Sequence, residues 1–180
     1  SNWLLYGANG YTGRLIAREA VSRGLMPILA GRDRAAVATL ADELKCQYRA
    51  FPLDDAAHVV DALRGMKVVL NCAGPFSKTA AHLIDACLHV GASYLDITGE
   101  IDVIEYAATC DAAAKSAGVT ICPAVGFDVV PTDCLAAMLH EALPDATHLT
   151  LAFMGTGVMS PGTLKTALEG IPHGGRVRRD

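Results

Sequence analysis

A doubly wound α/β fold on a parallel sheet is predicted by three observations. Short apolar runs alternate with helical segments of about ten to fifteen residues, the pattern of successive βαβ units. A glycine-rich turn, Gly7-Ala-Asn-Gly-Tyr-Thr-Gly13, separates the first apolar run from the first helix. Over half of the 180 residues are hydrophobic but only 6% are aromatic, so small and branched aliphatics must form the core, which suits helices packed on a parallel sheet.

The elements follow in order. Trp3 to Tyr6 is the first strand, and Arg14 to Arg23 continues as helix beyond the glycine turn. Glycines three apart let the backbone turn sharply, admit a pyrophosphate close to main chain, and seat the helix on the sheet. The helix N-terminus then offers its free N–H groups to the phosphates. Pro27 to Ala30 is the second strand and ends in Gly31-Arg32-Asp33. A dinucleotide-binding chain places its reader of the adenosine ribose here. Arg32 suits the 2′-phosphate of NADP, whereas Asp33 next to it is an alternative ribose ligand that would suit NAD.

Ala35 to Lys45 carries Val37, Leu40, Ala41 and Leu44 on one helical face. Gln47 to Leu53 is a third strand, and Asp54 or Asp55 caps the short helix through Val59, Val60 and Leu63. Lys67 to Cys72 is a fourth strand, broken by Ala73-Gly74-Pro75. Thr79 to Val90 is helical and Gly91 suits its left-handed end. Ser93 to Ile97 is a fifth strand, Asp102 to Ser116 one helix, and Val119 to Cys122 a sixth strand. Pro131 to Leu143 is again helical, with Thr132 or Asp128 as its cap. The pattern then changes to an alternating strand at Thr147 to Met154, a loop, and a short helix at Thr163 to Glu169. Residues 3–143 therefore form the nucleotide-binding domain, and 144–180 begin a second, mixed α+β domain. Ser1-Asn2, without an initiator Met, reads as a tag remnant and is left out of the fold.

Several functions are disfavoured. No apolar run approaches the ~18 residues of a membrane span, and no export signal leads the chain. The net charge of −4 argues against a nucleic-acid surface. Six scattered cysteines without a Cys-x-x-Cys pair read as reduced cytoplasmic thiols, and no metal site is expected. His82 and His89 lie seven apart, which fits a surface or packing role better than a metal. No Tyr stands four residues before a Lys, so the short-chain reductase acid is missing, and Ser160 lies outside any Gly-x-Ser-x-Gly elbow.

Ligands of such sheets bind beyond the carboxyl ends of the strands, and here those ends are rich in small and polar residues. They read Asn71-Cys-Ala-Gly-Pro-Phe76, Tyr94-Leu-Asp-Ile-Thr-Gly-Glu100 and Gly126-Phe-Asp-Val-Val-Pro-Thr-Asp133. Asp96 and Glu100 fit either a functional role or capping of the helix after Ile101. With the Gly7 to Gly13 turn and Ala30-Gly31-Arg32, these motifs resemble the saccharopine dehydrogenase-like oxidoreductases, and most closely the branch containing the trans-acting enoyl reductases.

The resemblance implies a Rossmann domain and a substrate domain in a longer protein, of which this chain is an N-terminal part. It implies NADP-dependent hydride transfer to a C=C, C=N or C=O group. Gly7, Asn9, Gly10, Tyr11, Thr12 and Gly13 would hold the pyrophosphate, Arg32 the 2′-phosphate, Asp54 the adenine side, and Asn71, Ala73, Gly74 and Pro75 the nicotinamide ribose. Tyr94, Asp96 and Asp128 are the candidates on the substrate side. A small-molecule or acyl substrate, and a second copy through the C-terminal domain, are the expected partners. The lack of a recognisable acid/base residue keeps open a redox-sensing or scaffolding module that binds NADP without turnover.

Overall fold

The computed structural model describes residues 2–127 and 129–152, together with 154, 164 and 168. Six strands form one parallel sheet in the order β3-β2-β1-β4-β5-β6. They are β1 (Trp3–Tyr6), β2 (Ile28–Gly31), β3 (Gln47–Ala50), β4 (Val68–Asn71), β5 (Ser93–Asp96) and β6 (Ile121–Cys122). The helices are α1 (Tyr11–Ser22), α2 (Arg34–Leu44), α3 (Ala56–Leu63), α4 (Ala80–Val90), α5 (Ile101–Thr109), α6 (Asp111–Ala117) and α7 (Val130–Ala142). A 3-10 turn, Phe76–Lys78, precedes α4.

Alternation along the strands divides the core in two, because successive side chains point to opposite faces. Leu4 and Tyr6 of β1 join Ile28, Phe51, Val59, Leu83, Ile84 and Val103 under α3, α4 and α5. Leu5 points the other way, to Leu29, Ala17, Val37 and Leu40 under α1 and α2. A sheet covered on both faces explains why its central strands are continuous apolar runs. The order reverses between β1 and β4, which opens a crevice at their carboxyl ends.

The departures from the sequence reading have local causes. β3 stops at Ala50, short of Leu53. Phe51 still donates its N–H to Gly31 O at 3.1 Å, but Pro52 has no N–H with which to extend the ladder. The single helix expected over Asp102 to Ser116 is two, α5 and α6, meeting at Cys110. The Thr109 hydroxyl donates to Tyr106 O at 2.6 Å and the Cys110 N–H to Ala107 O at 3.1 Å, which tightens the last turn of α5. Asp55 caps α3, accepting from the N–H groups of Ala57 and His58. The cap position of α7 is Val129 and carries no side-chain cap, so Thr132 does not fill that role; its hydroxyl donates back to Val129 O. Asp128 lies outside the described residues.

Residues 147–152 form no strand, contrary to the alternation at Thr147 to Met154, since no described strand lies beside them to complete a ladder. Most of the expected loop and helix after 154 lies outside the described residues. Asn2, set aside above, contributes to the sheet end: its carbonyl accepts from Lys67 and Val68 N–H at 2.7 and 3.4 Å. Among the described residues no helix is long and apolar enough to cross a membrane.

Cys87 of α4, fully buried, has its thiol pushed up to about 12 by burial. The unfolded chain loses that proton first as pH rises, so the thiol's contribution is present below pH ~9 and declines toward pH ~12. Between pH 8 and 10 the thiol should lower unfolding free energy by about 1.4 kcal/mol. Urea titrations of the wild type and Cys87→Ala at both pH values check this, the variant losing that part of the decline.

Candidate cofactor cleft

An open cleft of about 840 Å³ runs along the carboxyl ends of β2, β1 and β4. Its middle is the β1–α1 turn. Gly7 has φ +78°, and a Cβ there would lie 2.7 Å from Ala73 N and 2.8 Å from Cys72 C, so the turn closes only on glycine. Gly10 N–H donates to Gly7 O at 3.0 Å, completing the bend. Gly13 is buried and outside the cleft wall; a Cβ there would lie 2.9 Å from Ala8 Cα. Its close packing seats α1 on the turn.

Gly10 occupies the cap position of α1 without a side-chain cap. Among the described residues the N–H groups of Tyr11 and Thr12 therefore have no partner, and both residues line the cleft. An uncapped helix N-terminus with its positive dipole end in a crevice is a receptor for an anion.

At the β2 end, Arg32, Asp33 and Asp54 line the cleft together with Tyr6 of β1. Asp33 caps α2, accepting from Ala36 N–H at 3.0 Å. One oxygen of that carboxylate thus serves its helix, and Arg32 is the exposed cation at this end of the cleft wall, with Asp54 exposed beside it in that wall. The Tyr6 hydroxyl donates to Phe51 O at 3.1 Å. Burial pushes its pKa up to about 12, with the Arg32 charge opposing and the Asp54 charge adding to the rise. Tyr6 is thus a neutral phenol on the cleft floor.

At the β4 end, Cys72, Ala73, Gly74, Pro75, Lys78, Thr79 and His82 complete the wall. Asn71 is fully buried and points inward. Its amide nitrogen donates to Thr79 Oγ1 at 3.0 Å and Tyr94 OH at 3.1 Å, and its oxygen accepts from Ala73 N–H at 2.9 Å. Asn71 shapes the loop that faces a ligand and does not reach the cleft itself. The Cys72 thiol is pushed up to about 12 by burial, with Asp96 adding to the rise, so it is no nucleophile.

Tyr94 and Asp96, expected on the substrate side, are both fully buried and outside the cleft wall. The Tyr94 hydroxyl donates to Asp96 Oδ2 at 2.8 Å, while Asp96 Oδ1 accepts from Thr98 N–H at 3.0 Å and Ala124 N–H at 2.9 Å. Burial, and next the Asp96 charge, hold the Tyr94 phenol well above its ordinary range. The pair ties the ends of β5 and β6 together and has no donor or acceptor turned to the crevice. Glu100 also binds inward, accepting from Phe76 N–H at 2.8 Å and Ser77 N–H at 2.7 Å.

Of the residues anticipated for the cofactor, Gly7, Asn9, Gly10, Tyr11, Thr12, Arg32, Asp54, Ala73, Gly74 and Pro75 share the cleft wall. Sequence reasoning missed Lys78 and gave His82 only a surface or packing role. Their signal was a cation and an imidazole four residues apart, directly after the Gly-Pro breaker of a strand end.

A parallel, doubly wound sheet with a glycine turn and an uncapped helix at its switch point defines a dinucleotide-binding Rossmann domain. Residues 3–122 match the family described as saccharopine dehydrogenase NADP binding domain, and the chain belongs to that family. NADP is accordingly its cofactor, and the free N–H groups of α1 with exposed Arg32 fit its phosphates. A trans-acting enoyl reductase of Mycobacterium leprae is 33% identical over 146 residues, 77% of this chain and 35% of that protein. A saccharopine dehydrogenase-like oxidoreductase of Mus musculus is 26% identical over 203 residues, 98% of this chain and 47% of that protein. The chain thus spans less than half the length of these curated relatives. In fold it resembles saccharopine dehydrogenase (L-Glu forming) of Saccharomyces cerevisiae, with TM-score 0.69 and 14% identity, over 79% of this chain and 31% of that one.

Two substitutions separate strain from overlap. Gly91 (φ +71°) has open space where a Cβ would stand, so Gly91→Ala should cost about 1–2 kcal/mol for the left-handed conformation alone. Gly7→Ala adds a clash with the 72–73 backbone and should cost a further ~1–3 kcal/mol by denaturant titration. Tyr94→Phe removes both a donor to Asp96 and an acceptor for Asn71, and should destabilise by about 1–3 kcal/mol. Calorimetric unfolding measures that loss.

Proposed function

We propose that the protein is an NADP-dependent oxidoreductase, moving hydride between the nicotinamide and a C=C, C=N or C=O group of a small or acyl substrate. The observation that carries this reading is one crevice holding an uncapped helix N-terminus in its middle and a free guanidinium at its adenosine end. NADP supplies the hydride chemistry, and the protein supplies binding, orientation and electrostatics.

In this reading the backbone of Asn9 to Thr12 holds the pyrophosphate and Arg32 the 2′-phosphate. Asp54 faces the adenine side. Ala73, Gly74 and Pro75 form the floor under the nicotinamide ribose, and Asn71 shapes that floor through its bond to Ala73 N–H. Tyr94 and Asp96 act as positioning residues, holding the ends of β5 and β6 beside the substrate side. Asp128, on the segment after β6, is a substrate-side candidate. Residues 144–180 begin the substrate domain, and the less-than-half coverage of the relatives supports a longer parent protein. Six free cysteines support a reducing compartment, with the cytoplasm as our choice.

The family relationship and the names of the relatives favour turnover over a nucleotide-binding scaffold. Calorimetric titration tests the cofactor arrangement. Wild type should prefer NADPH to NADH, and Arg32→Ala should weaken NADPH by about 10- to 100-fold, the loss of charge-assisted bonds, with NADH unchanged. Equal wild-type affinity for the two nucleotides overturns the role of Arg32.

A further inference from the structure

Given NADP in the cleft as proposed above, Arg32 stands over the β2 end and the nicotinamide half lies over β4, across the switch point. The charged or titratable cleft-wall residues at that half, among those described, are Lys78, His82 and Cys72, and the Cys72 thiol is held protonated. Lys78 and His82 are exposed, four residues apart, where the 3-10 turn runs into α4. Among the described residues the Lys78 ammonium enters no ion pair. Its backbone, by contrast, is fixed: Lys78 N–H donates to Pro75 O at 3.1 Å, Glu100 holds the N–H groups of Phe76 and Ser77, and the Thr79 hydroxyl donates to Ala73 O at 2.8 Å.

A fixed platform carrying a cation has little use for the nicotinamide, which is itself cationic when oxidised. We infer that Lys78, with His82 beside it, forms a subsite for a carboxylate on the substrate, placing its reducible bond over the nicotinamide. A phosphate group fits less well. Phosphate sites draw on free backbone N–H groups, and those at the start of this turn are already occupied by Glu100, whose own charge repels a dianion more strongly than a single carboxylate. Lys78 supplies a single flexible charge, suited to one carboxylate.

The test uses the full-length protein saturated with NADP+ and two probes of matched shape, crotonate and crotonamide, followed by calorimetry. Crotonate should bind about tenfold more tightly than crotonamide, the scale of one charge-assisted hydrogen bond. Lys78→Gln should abolish the preference, Lys78→Arg should keep most of it, and both variants should bind NADPH as wild type does. A wild type indifferent to probe charge, or one that binds no crotonate, overturns the subsite while leaving the cofactor reading intact. Lys78→Gln with weakened NADPH and an unchanged probe preference overturns it too, because the lysine then serves the pyrophosphate. Failure of wild type to bind NADPH at all would instead remove the cofactor reading on which the subsite rests.

Discussion

The approach of the β1–α1 turn to the end of β4 is the constraint on which the cleft depends. β1 and β4 are neighbours in the sheet, and the main chain leaving each must pass the other with no side chain between them. Gly7 meets that demand against Cys72 and Ala73, and Gly13 meets a similar one against Ala8. Because the turn sits so low, α1 begins directly above the sheet and its first N–H groups open into the crevice. A side chain at either glycine would lift the helix and move its N-terminus away from the crevice. Fold and ligand site therefore rest on the same few ångströms of backbone packing.

A second layer of control lies beneath the crevice. Asn71, Tyr94 and Asp96 stand at the ends of adjacent strands and bond to one another in the dry interior. Asp96 also accepts from Ala124 N–H, and Ala124 holds φ +62°, an uncommon conformation for a residue with a Cβ. A buried carboxylate with three donors is well satisfied: Tyr94 and Thr98 flank it along the chain, and Ala124 reaches it from the segment after β6. Such a network fixes where the loops after β4, β5 and β6 leave the sheet. Polar residues at a strand end can therefore serve a site without entering it.

That distinction marks where the sequence became illegible. The strands, the helices and the glycine turn were readable because each has its own period or its own local breaker, and the observed bounds differ mostly by a residue or two. The shortened β3 was readable in principle from Pro52. The split between α5 and α6 was not, because it turns on one hydroxyl choosing a carbonyl three residues back. In the cleft, Arg32 stood out by its place after β2, whereas the capping of α2 by Asp33 appeared only in the folded chain. Lys78 passed unnoticed and His82 was read as a surface or packing residue, since a cation and an imidazole four apart carry no pattern until a wall forms around them.

Local chemistry alone determined the α/β class, the order of the elements, the glycine turn after β1 and the place of Arg32 after β2. These are written in periodicity, glycine spacing and charge at strand ends, all of which act over a few neighbouring residues. Tertiary structure alone decided the direction of each polar side chain. Tyr94 and Asp96 look outward-facing on paper, but adjacent parallel strands bring Asn71 and the Ala124 backbone within hydrogen-bond reach, and desolvation binds the group together. Burial is a property of the whole sheet and its helices, and no short stretch of sequence carries it.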